Sequence, residues 1–354
     1  MNRNNKTVFE IGKSNVGQGQ PVFIVAELSA NHLQNLDLAL KTIEAIREAG
    51  ADAVKLQTYT PDTITIDAKN EYFMIKEGTL WDGKYLYDLY REAYTPWEWH
   101  PKLFEFAREL GLVCFSTPFD KSAVDFLEEL GVPAYKVASF EITDIPLIEY
   151  IASKKKPVII STGIATLTDI EEAIQACRRA GNEQIVLLKC VSEYPTPFED
   201  ANLRTIPNMR ETFGVPVGLS DHTLGISVPV ASVALGAVMV EKHFILDRSL
   251  GGPDSAFSLE PHEFKAMVQA IREVEKALGK VSYELTQKQK DMRKFSRSLF
   301  AVKDIKAGEV FTEENVRSIR PGYGLHPKYL KEILGRKARK DIKKGTPLSW
   351  ELIE

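Results

Sequence analysis

Two short runs carry side chains that could hold a metal ion: Gly218-Leu219-Ser220-Asp221-His222 and Glu241-Lys242-His243-Phe244. Each closes an apolar segment, Val215-Pro216-Val217 before the first and Val238-Met239-Val240 before the second. Apolar runs of this length, bounded by turn residues, read as buried strands. The Ala- and Val-rich stretch from Ile226 to Gly236 between them is long enough for a crossover helix. A strand, a helix and a strand place the two strands parallel and usually adjacent, about 4.8 Å apart. His222 and His243 then leave the same end of a sheet within reach of one ion. Two imidazoles so placed suit Mn, Zn or Fe. A histidine at a strand end is also an ordinary hydrogen-bonding residue, so the rest of the chain has to decide between the two.

The elements that would position this pair repeat along the chain. Val22 to Ala26, Ala53 to Gln57, Leu112 to Thr117, Ala134 to Ser139, Pro157 to Ser161 and Ile185 to Lys189 read as strands ahead of the two above. Helical segments alternate with them. Leu36, Leu40, Ile43 and Ile46 recur at helical spacing before Gly50. Lys121 to Leu130 ends at Gly131, Asp169 to Arg179 at Gly181, and His262 to Leu278 at Gly279, while Pro146 to Ser153 and Arg204 to Thr212 fill the remaining gaps. Glycine just past the last periodic residue is a helix stop. Eight strands, each followed by a helix, predict a closed α/β architecture, the (β/α)8 TIM barrel. The long stretch Pro61 to Trp99 after the second strand must carry its own short helix and lie over the active end.

In such a barrel the chemistry comes from the C-terminal strand ends. Those ends are Glu27, Lys55 with Gln57, Ser116-Thr117, Lys136 with Ser139 and Glu141, Ser161-Thr162, Lys189 with Ser192 and Tyr194, Ser220-Asp221-His222, and Glu241 with His243. Lys55, Lys136 and the hydroxyls of Thr117, Ser139, Ser161 and Ser220 predict a cradle for phosphate or carboxylate. Glu27, Glu141 and Asp221 offer carboxylates for proton transfer, metal-bound water or sugar hydroxyls. Asp254, in Gly251-Gly252-Pro253-Asp254, either reaches the same pocket or forms a turn.

The chain has 354 residues, enough for one large and one small domain. The expected division is a barrel over residues 1–280, a polar linker or solvated helix over 281–297, and a small unit over 298–354. In the last, Asp304-Ile305-Lys306-Ala307-Gly308 recurs as Asp341-Ile342-Lys343-Lys344-Gly345, which predicts two similar turns. A formal net charge of −4 gives no electrostatic reason to expect nucleic acid or a membrane surface. No apolar run approaches the roughly 18 residues of a membrane-spanning helix. The polar start Met1-Asn2-Arg3-Asn4-Asn5-Lys6 shows no signal peptide. Cys114, Cys177 and Cys190 form no Cys-x-x-Cys pair, which fits a reducing, cytoplasmic setting.

These residues carry a resemblance. Ala26-Glu27-Leu28-Ser29-Ala30-Asn31-His32, Lys55-Leu56-Gln57-Thr58, Ser116-Thr117-Pro118-Phe119, Tyr135-Lys136-Val137-Ala138-Ser139, Ser161-Thr162-Gly163, Tyr194-Pro195-Thr196-Pro197, Gly218 to Thr223 and Glu241 to Phe244 resemble the sialic acid synthase family, in order through the chain. The small unit resembles that family's antifreeze-like (SAF) module. The resemblance implies that phosphoenolpyruvate condenses with an open-chain amino sugar to give a nine-carbon 2-keto acid and phosphate. It implies that Lys55, Thr117, Lys136, Ser139, Ser161 and Ser220 hold phosphoenolpyruvate, and that His222 and His243 hold a divalent metal, Mn²⁺ first, with Mg²⁺ or Co²⁺ as alternatives. Glu27, Gln57, Tyr194 and Asp254 would line the sugar side, Glu141 would also bind substrate, and Arg320 would reach the sugar across a domain-swapped homodimer. Glu27, Asp221 or metal-bound water would manage the proton of the attacking water.

Within the family, the Glu-Leu-Ser-Ala-Asn-His run, Ser139-Phe140-Glu141 and Gly324-Leu325-His326-Pro327 are most similar to the branch that uses a 6-deoxy sugar with two acetamido groups, 2,4-diacetamido-2,4,6-trideoxy-altrose. Ser192 and Glu193 depart from the sialic acid pattern of an Asn and an apolar residue. Such a sugar asks for a more apolar pocket at one end, and Tyr72, Phe73, Met74 and Trp81 of the insertion are candidates to supply it, or to form core. Three rivals stay open: a Schiff-base aldolase using Lys136 or Lys189, a non-catalytic binder of ice or carbohydrate, and a sister enzyme taking N-acetylmannosamine or the legionaminic acid precursor.

Overall fold

The β-branched and aromatic runs form eight strands: β1 (Phe23–Glu27), β2 (Ala53–Thr58), β3 (Val113–Pro118), β4 (Tyr135–Val137), β5 (Val158–Ser161), β6 (Ile185–Lys189), β7 (Val217–Asp221) and β8 (Met239–His243). In the computed structural model, which describes residues 8–354, these strands are hydrogen-bonded in parallel around a closed ring in which β8 returns to β1. The expected (β/α)8 barrel is what forms. Side chains alternate in direction along each strand. Phe23, Val25, Ala53, Phe115, Ile159, Val186, Leu188 and Met239 fill the inside. Ile24, Ala26, Val54, Leu56, Ile160, Leu187 and Val240 belong to the larger cluster shared with the helices.

Helices α1 (Leu36–Glu48), α2 (His100–Glu109), α3 (Lys121–Glu129), α4 (Ile145–Ser153), α5 (Leu167–Arg179), α6 (Thr205–Phe213), α7 (Ser227–Ala234) and α8 (Pro261–Leu278) follow the strands in turn. Their starts are set by side chains that accept orphan amide protons: Asn35 ahead of α1, Asp120 ahead of α3, Asp144 ahead of α4, and a reciprocal Thr166–Asp169 box at α5. The glycines read as stops after α1, α3 and α5 are left-handed, with φ of 89° at Gly50, 69° at Gly131 and 72° at Gly181. α2 was not singled out in the sequence, although Leu103, Phe104, Ala107 and Leu110 recur at helical spacing; it follows two aromatic residues, Trp97 and Trp99, and starts at His100-Pro101.

A hairpin ahead of β1, Val8–Ile11 paired with Ser14–Gly17, places Phe9, Ile11 and Val16 in the same cluster as the barrel's inner residues. It floors the barrel at the end opposite the polar strand termini. The insertion after β2 carries two short helices, Pro61–Ile64 and Leu86–Ala93, where one was expected. A ribbon joins them, bridged between Met74 and Tyr85.

The chain separates into two compact units between Gly279 and Lys280. In the second unit, β9 (Ser298–Ala301) pairs antiparallel with β10 (Val316–Ile319). The recurring turns bind each other reciprocally. Asp341 accepts from the Ala307 amide at 2.9 Å and Asp304 from the Lys344 amide at 2.8 Å. Lys306 meets Asp341 at 2.9 Å and Lys343 meets Asp304 at 3.1 Å. The stretch 281–297, read as linker or solvated helix, contains an exposed helix, Gln287–Met292, with Thr286 and Gln289 forming its capping box.

Candidate active site

Register decides which side chains meet above the barrel. Glu241 lies opposite Ser220 and Lys242 opposite Asp221; on the other side His243 lies opposite Glu27. One residue further along β7 comes His222. The His222 and His243 rings are therefore neighbours, with centroids 5.4 Å apart. His222 Nδ1 lies 2.9 Å from the Val191 carbonyl. Donation there leaves the Nε2 lone pair free, as a metal ligand requires. His243 Nδ1 is buried without a hydrogen-bond partner. Burial, then the neighbouring His222, hold His243 well below the usual histidine range, so its ring is neutral and able to ligate. Burial also opposes charge on His222, but Cys190 and the Val191 carbonyl outweigh it and raise that ring. Among the described residues no three or more His, Cys, Asp or Glu side chains converge so that they could hold a metal ion by themselves. The pair fits an open site whose remaining positions fall to water or substrate.

Beside the histidines lies a buried charge cluster. Lys55 Nζ is 2.8 Å from Glu27 and 2.9 Å from Glu241. Ser220 Oγ donates to the same Glu241 oxygen at 2.9 Å, while the other, Oε2, has no hydrogen-bond partner. Burial lowers the Lys55 pKa against the pull of Glu241. Glu241 is lowered because Lys136 and Lys55 overcome the cost of its burial. Across the barrel Lys136 Nζ donates to Ser161 Oγ at 2.7 Å and to the Val137 carbonyl at 3.0 Å. Thr117 Oγ1 is buried and unpartnered. Ser139 Oγ accepts from the Gly163 amide at 3.1 Å. A side chain at position 163 would start 2.2 Å from Ser192 Oγ, so the chain needs glycine there to approach so closely.

A second network covers the β1 and β8 side. Gln57 donates to Ser29 Oγ at 2.9 Å and to Glu27 at 3.3 Å. Ser29 donates to Asp254, whose other neighbour is His243 Nδ1 at 3.8 Å. Burial raises Asp254 against the help of Ser29. Asp254 is thus in the site, not only in a turn. Glu141 is raised to about 7 by burial, against the pull of Lys136, and its Oε2 is buried without a partner. Tyr194 stands 4.4 Å from His222, ring to ring, and Phe257 4.9 Å from His243.

Asp221 does not join this set. As the residue between inward-facing Ser220 and His222 it points outward, where it binds Lys242 and the Thr223 hydroxyl and amide. Its expected role in proton transfer is corrected on that ground. Lys189 also alternates outward and caps the Cys190 carbonyl at 2.9 Å. Arg320 is an exposed residue of the second unit, just after β10. Three residues of the site had no role assigned from the sequence: Glu241, read only as a strand end; Cys190, whose Sγ lies 3.8 Å from His222 Nδ1; and Phe257. The period-two rule applied back from His243 and His222 finds Glu241 beside Lys55; Phe257, in a loop, left no such signal. A larger cavity of about 520 Å³ opens at the opposite end of the barrel, by Lys13, Arg47, Asp52 and Arg108. It lies far from the strand ends where the buried ions gather, so size does not mark the site here.

The description "NeuB family" matches residues 42–283. The chain belongs to the NeuB family. A SAF domain matches residues 296–354, in agreement with the second unit. Among NeuB family relatives, the pseudaminic acid synthase of Helicobacter pylori is 54% identical over 336 residues, covering 95% of this chain and 98% of that protein. The pseudaminic acid synthase of Campylobacter jejuni (serotype O:2) is 52% identical over 94% of this chain and 97% of its own. Of solved structures, the sialic acid synthetase of Leptospira borgpetersenii, crystallised with citrate, superposes with a TM-score of 0.73 at 32% identity, over 81% of this chain and 95% of that one.

Proposed function

We propose that this chain condenses phosphoenolpyruvate with 2,4-diacetamido-2,4,6-trideoxy-β-L-altrose and water, giving pseudaminic acid and phosphate. The observation that carries the chemistry is the buried row of Lys55, Lys136, Ser161, Thr117 and Ser220 beside two neighbouring imidazoles. The choice of sugar is supported by relatives above 50% identity that are named pseudaminic acid synthase.

In this reading Lys136, with Ser161, Thr117 and Ser139, holds the phosphate and carboxylate of phosphoenolpyruvate, and Lys55 and Ser220 complete the cradle. C3 of the enol phosphate bonds to the sugar aldehyde carbon, a water oxygen bonds to C2, and the C2–O bond to phosphate breaks. His222 and His243 would hold a divalent ion, Mn²⁺ foremost, which when bound polarises the aldehyde as a Lewis acid. Gln57, Tyr194 and Asp254 orient the sugar. Glu27 is placed by Lys55 and Gln57 to take the proton of the attacking water. Holding both reactants aligned supplies much of the rate, because the enol carbon is a weak nucleophile.

Arg320 enters the reading through a domain-swapped homodimer, in which the second unit of one copy serves the barrel of the other. Phe140, Ile164, Leu167, Phe198 and Leu224, on the segments that join β4 to β7 to the helices that follow them or at the start of such a helix, are 47–65% exposed. Apolar side chains gathered on successive rim loops suit a surface that a partner covers. Cys114, Cys177 and Cys190 are free and buried, which supports a reducing, cytoplasmic setting. No helix of the described residues is long and apolar enough to cross a membrane.

Phosphate release tests the proposal. With phosphoenolpyruvate and Mn²⁺, the diacetamido sugar is expected to turn over faster than N-acetylmannosamine or the legionaminic acid precursor. EDTA should abolish release and added Mn²⁺ should restore it. His222→Ala should lose both bound metal and turnover while keeping its melting temperature. Borohydride capture of pyruvate on Lys136, with EDTA-resistant activity, would replace this reading by the aldolase.

A further inference from the structure

We propose that Trp81 selects the far end of the sugar, its indole forming the apolar wall against which the 6-methyl group and the adjoining acetamide pack. The inference rests on the sugar proposed above and adds the residue that tells it from hydroxylated relatives.

Trp81 sits at the tip of the ribbon that follows β2. The ribbon is held by the Ile75 amide donating to the Lys84 carbonyl at 3.0 Å and the Gly83 amide to Ile75 at 2.9 Å. Its tip is fixed by Asp82, which accepts from the Gly78 amide at 2.9 Å and the Thr79 amide at 2.8 Å. From this tip Trp81 Nε1 donates to the Pro253 carbonyl at 3.0 Å, one residue before Asp254. The indole's only polar atom is thus occupied, and what remains to face a ligand is hydrocarbon. The ring lies 5.6 Å from Tyr194, which in turn lies 4.4 Å from His222 and 5.1 Å from Phe257. Trp81 is therefore two ring-to-ring steps from the histidine pair where the aldehyde reacts. Five staggered carbon–carbon bonds of about 1.5 Å carry the far end of an open-chain sugar roughly 6 Å from its aldehyde, beyond the first of these ring-to-ring steps and towards the second. Trp81 and Tyr194 are only partly buried, leaving ring surface to cover. Tyr72 of the same insertion is 83% exposed and takes no part in this wall.

The other groups near the sugar's path, Gln57, Ser29 and Asp254, are polar and bonded to one another. They suit the hydroxyls near the reacting carbon. Hydrocarbon at the distal end favours a methyl group and leaves a hydroxyl there without a partner.

The test uses the full-length, metal-loaded protein and two variants. Trp81→Ala removes the wall. Trp81→Gln keeps an N–H for Pro253 but replaces the hydrocarbon by an amide, so a loss shared by both belongs to the wall and not to the Pro253 bond. Each should raise the KM for the diacetamido 6-deoxy sugar about tenfold or more. The KM for phosphoenolpyruvate should stay within twofold, and the preference over N-acetylmannosamine should shrink. Without metal, the 6-deoxy sugar should change tryptophan emission in the wild type and not in Trp81→Gln. An unchanged sugar KM in the Gln variant, or an emission change that survives it, overturns the inference. Failure of the underlying reading shows separately, as a wild-type protein that releases phosphate with N-acetylmannosamine and not with the 6-deoxy sugar.

Discussion

Lys55 and Lys242 are both buried, 5% and 0% exposed, and both are ion-paired with carboxylates from the ends of barrel strands. They lie on adjacent layers of the same barrel and point in opposite directions. Lys242 faces outward, beneath the helices, where Asp221 and the Thr223 carbonyl accept from its Nζ and the Thr223 hydroxyl and amide donate to Asp221, so that each of these side-chain polar atoms has a partner. Lys55 faces inward, among groups that are not fully used: Glu241 Oε2, Thr117 Oγ1 and His243 Nδ1 are buried and unpartnered. Burying an unpaired polar atom costs stability that a protein has no structural reason to give up. A closed network marks architecture, whereas an open one marks a place kept for a ligand.

That contrast can be broken by exchanging the outcomes. The largest effect expected is from Lys55→Met, which leaves Glu27 and Glu241 facing each other without their cation. Phosphate release should fall on the order of 100- to 1,000-fold, the loss seen when one charge-stabilising donor is removed from a site. The melting temperature should fall as well, since Glu27 and Glu241 lose a buried partner, so release is compared per folded molecule. If instead the protein unfolds and the folded remainder turns over normally, Lys55 is architecture too.

Next in size is Asp221→Asn. Stripping one partner from a buried pair costs about 3–5 kcal/mol, read as a lower urea midpoint, while kcat of the folded protein stays near the wild-type value. Replacing both partners by Asp221→Leu with Lys242→Met should recover much of the loss, since a buried pair and a matched apolar pair are often close in stability. A large drop in kcat with unchanged stability would return Asp221 to the chemistry.

The smallest effect sharpens the contrast through Glu141, whose free Oε2 puts it in the open class. Burial raises its carboxyl from the ordinary 4.5 to about 7. The folded protein then holds that proton more tightly than the unfolded chain, so its contribution to stability is full below about pH 4.5 and declines as pH rises towards 7. Glu141→Gln should flatten that decline in denaturant titrations across this window. A slope identical to the wild type would mean the carboxyl is hydrated and ordinary.

The barrel was legible because each strand is an apolar body with polar ends and most helices close on glycine. The site was legible wherever a polar residue stood between apolar neighbours at such an end, as Glu27 and Lys136 do. It was misread where several stood in a row. Ser220, Asp221 and His222 were taken together, although the period of two sends the middle one outward, and Glu241, read as a strand end, was given no role although the same period sends it inward with His243. Trp81 was one aromatic among several in the insertion. What singles it out is a turn drawn tight by Asp82 and a bond to Pro253 more than 170 residues away, neither of which leaves a pattern in the local sequence.

The hairpin that floors the barrel bears on the chemistry at the far rim. By sealing the lower mouth with Phe9, Ile11 and Val16, it acts as electrical insulation for the ions above. A field that solvent entering from underneath would screen is instead screened less where an anion docks overhead. Catalysis at one face of the barrel thereby depends on a short apolar hairpin at the other: a leak at the base would dim the charges at the top without moving a single one of them.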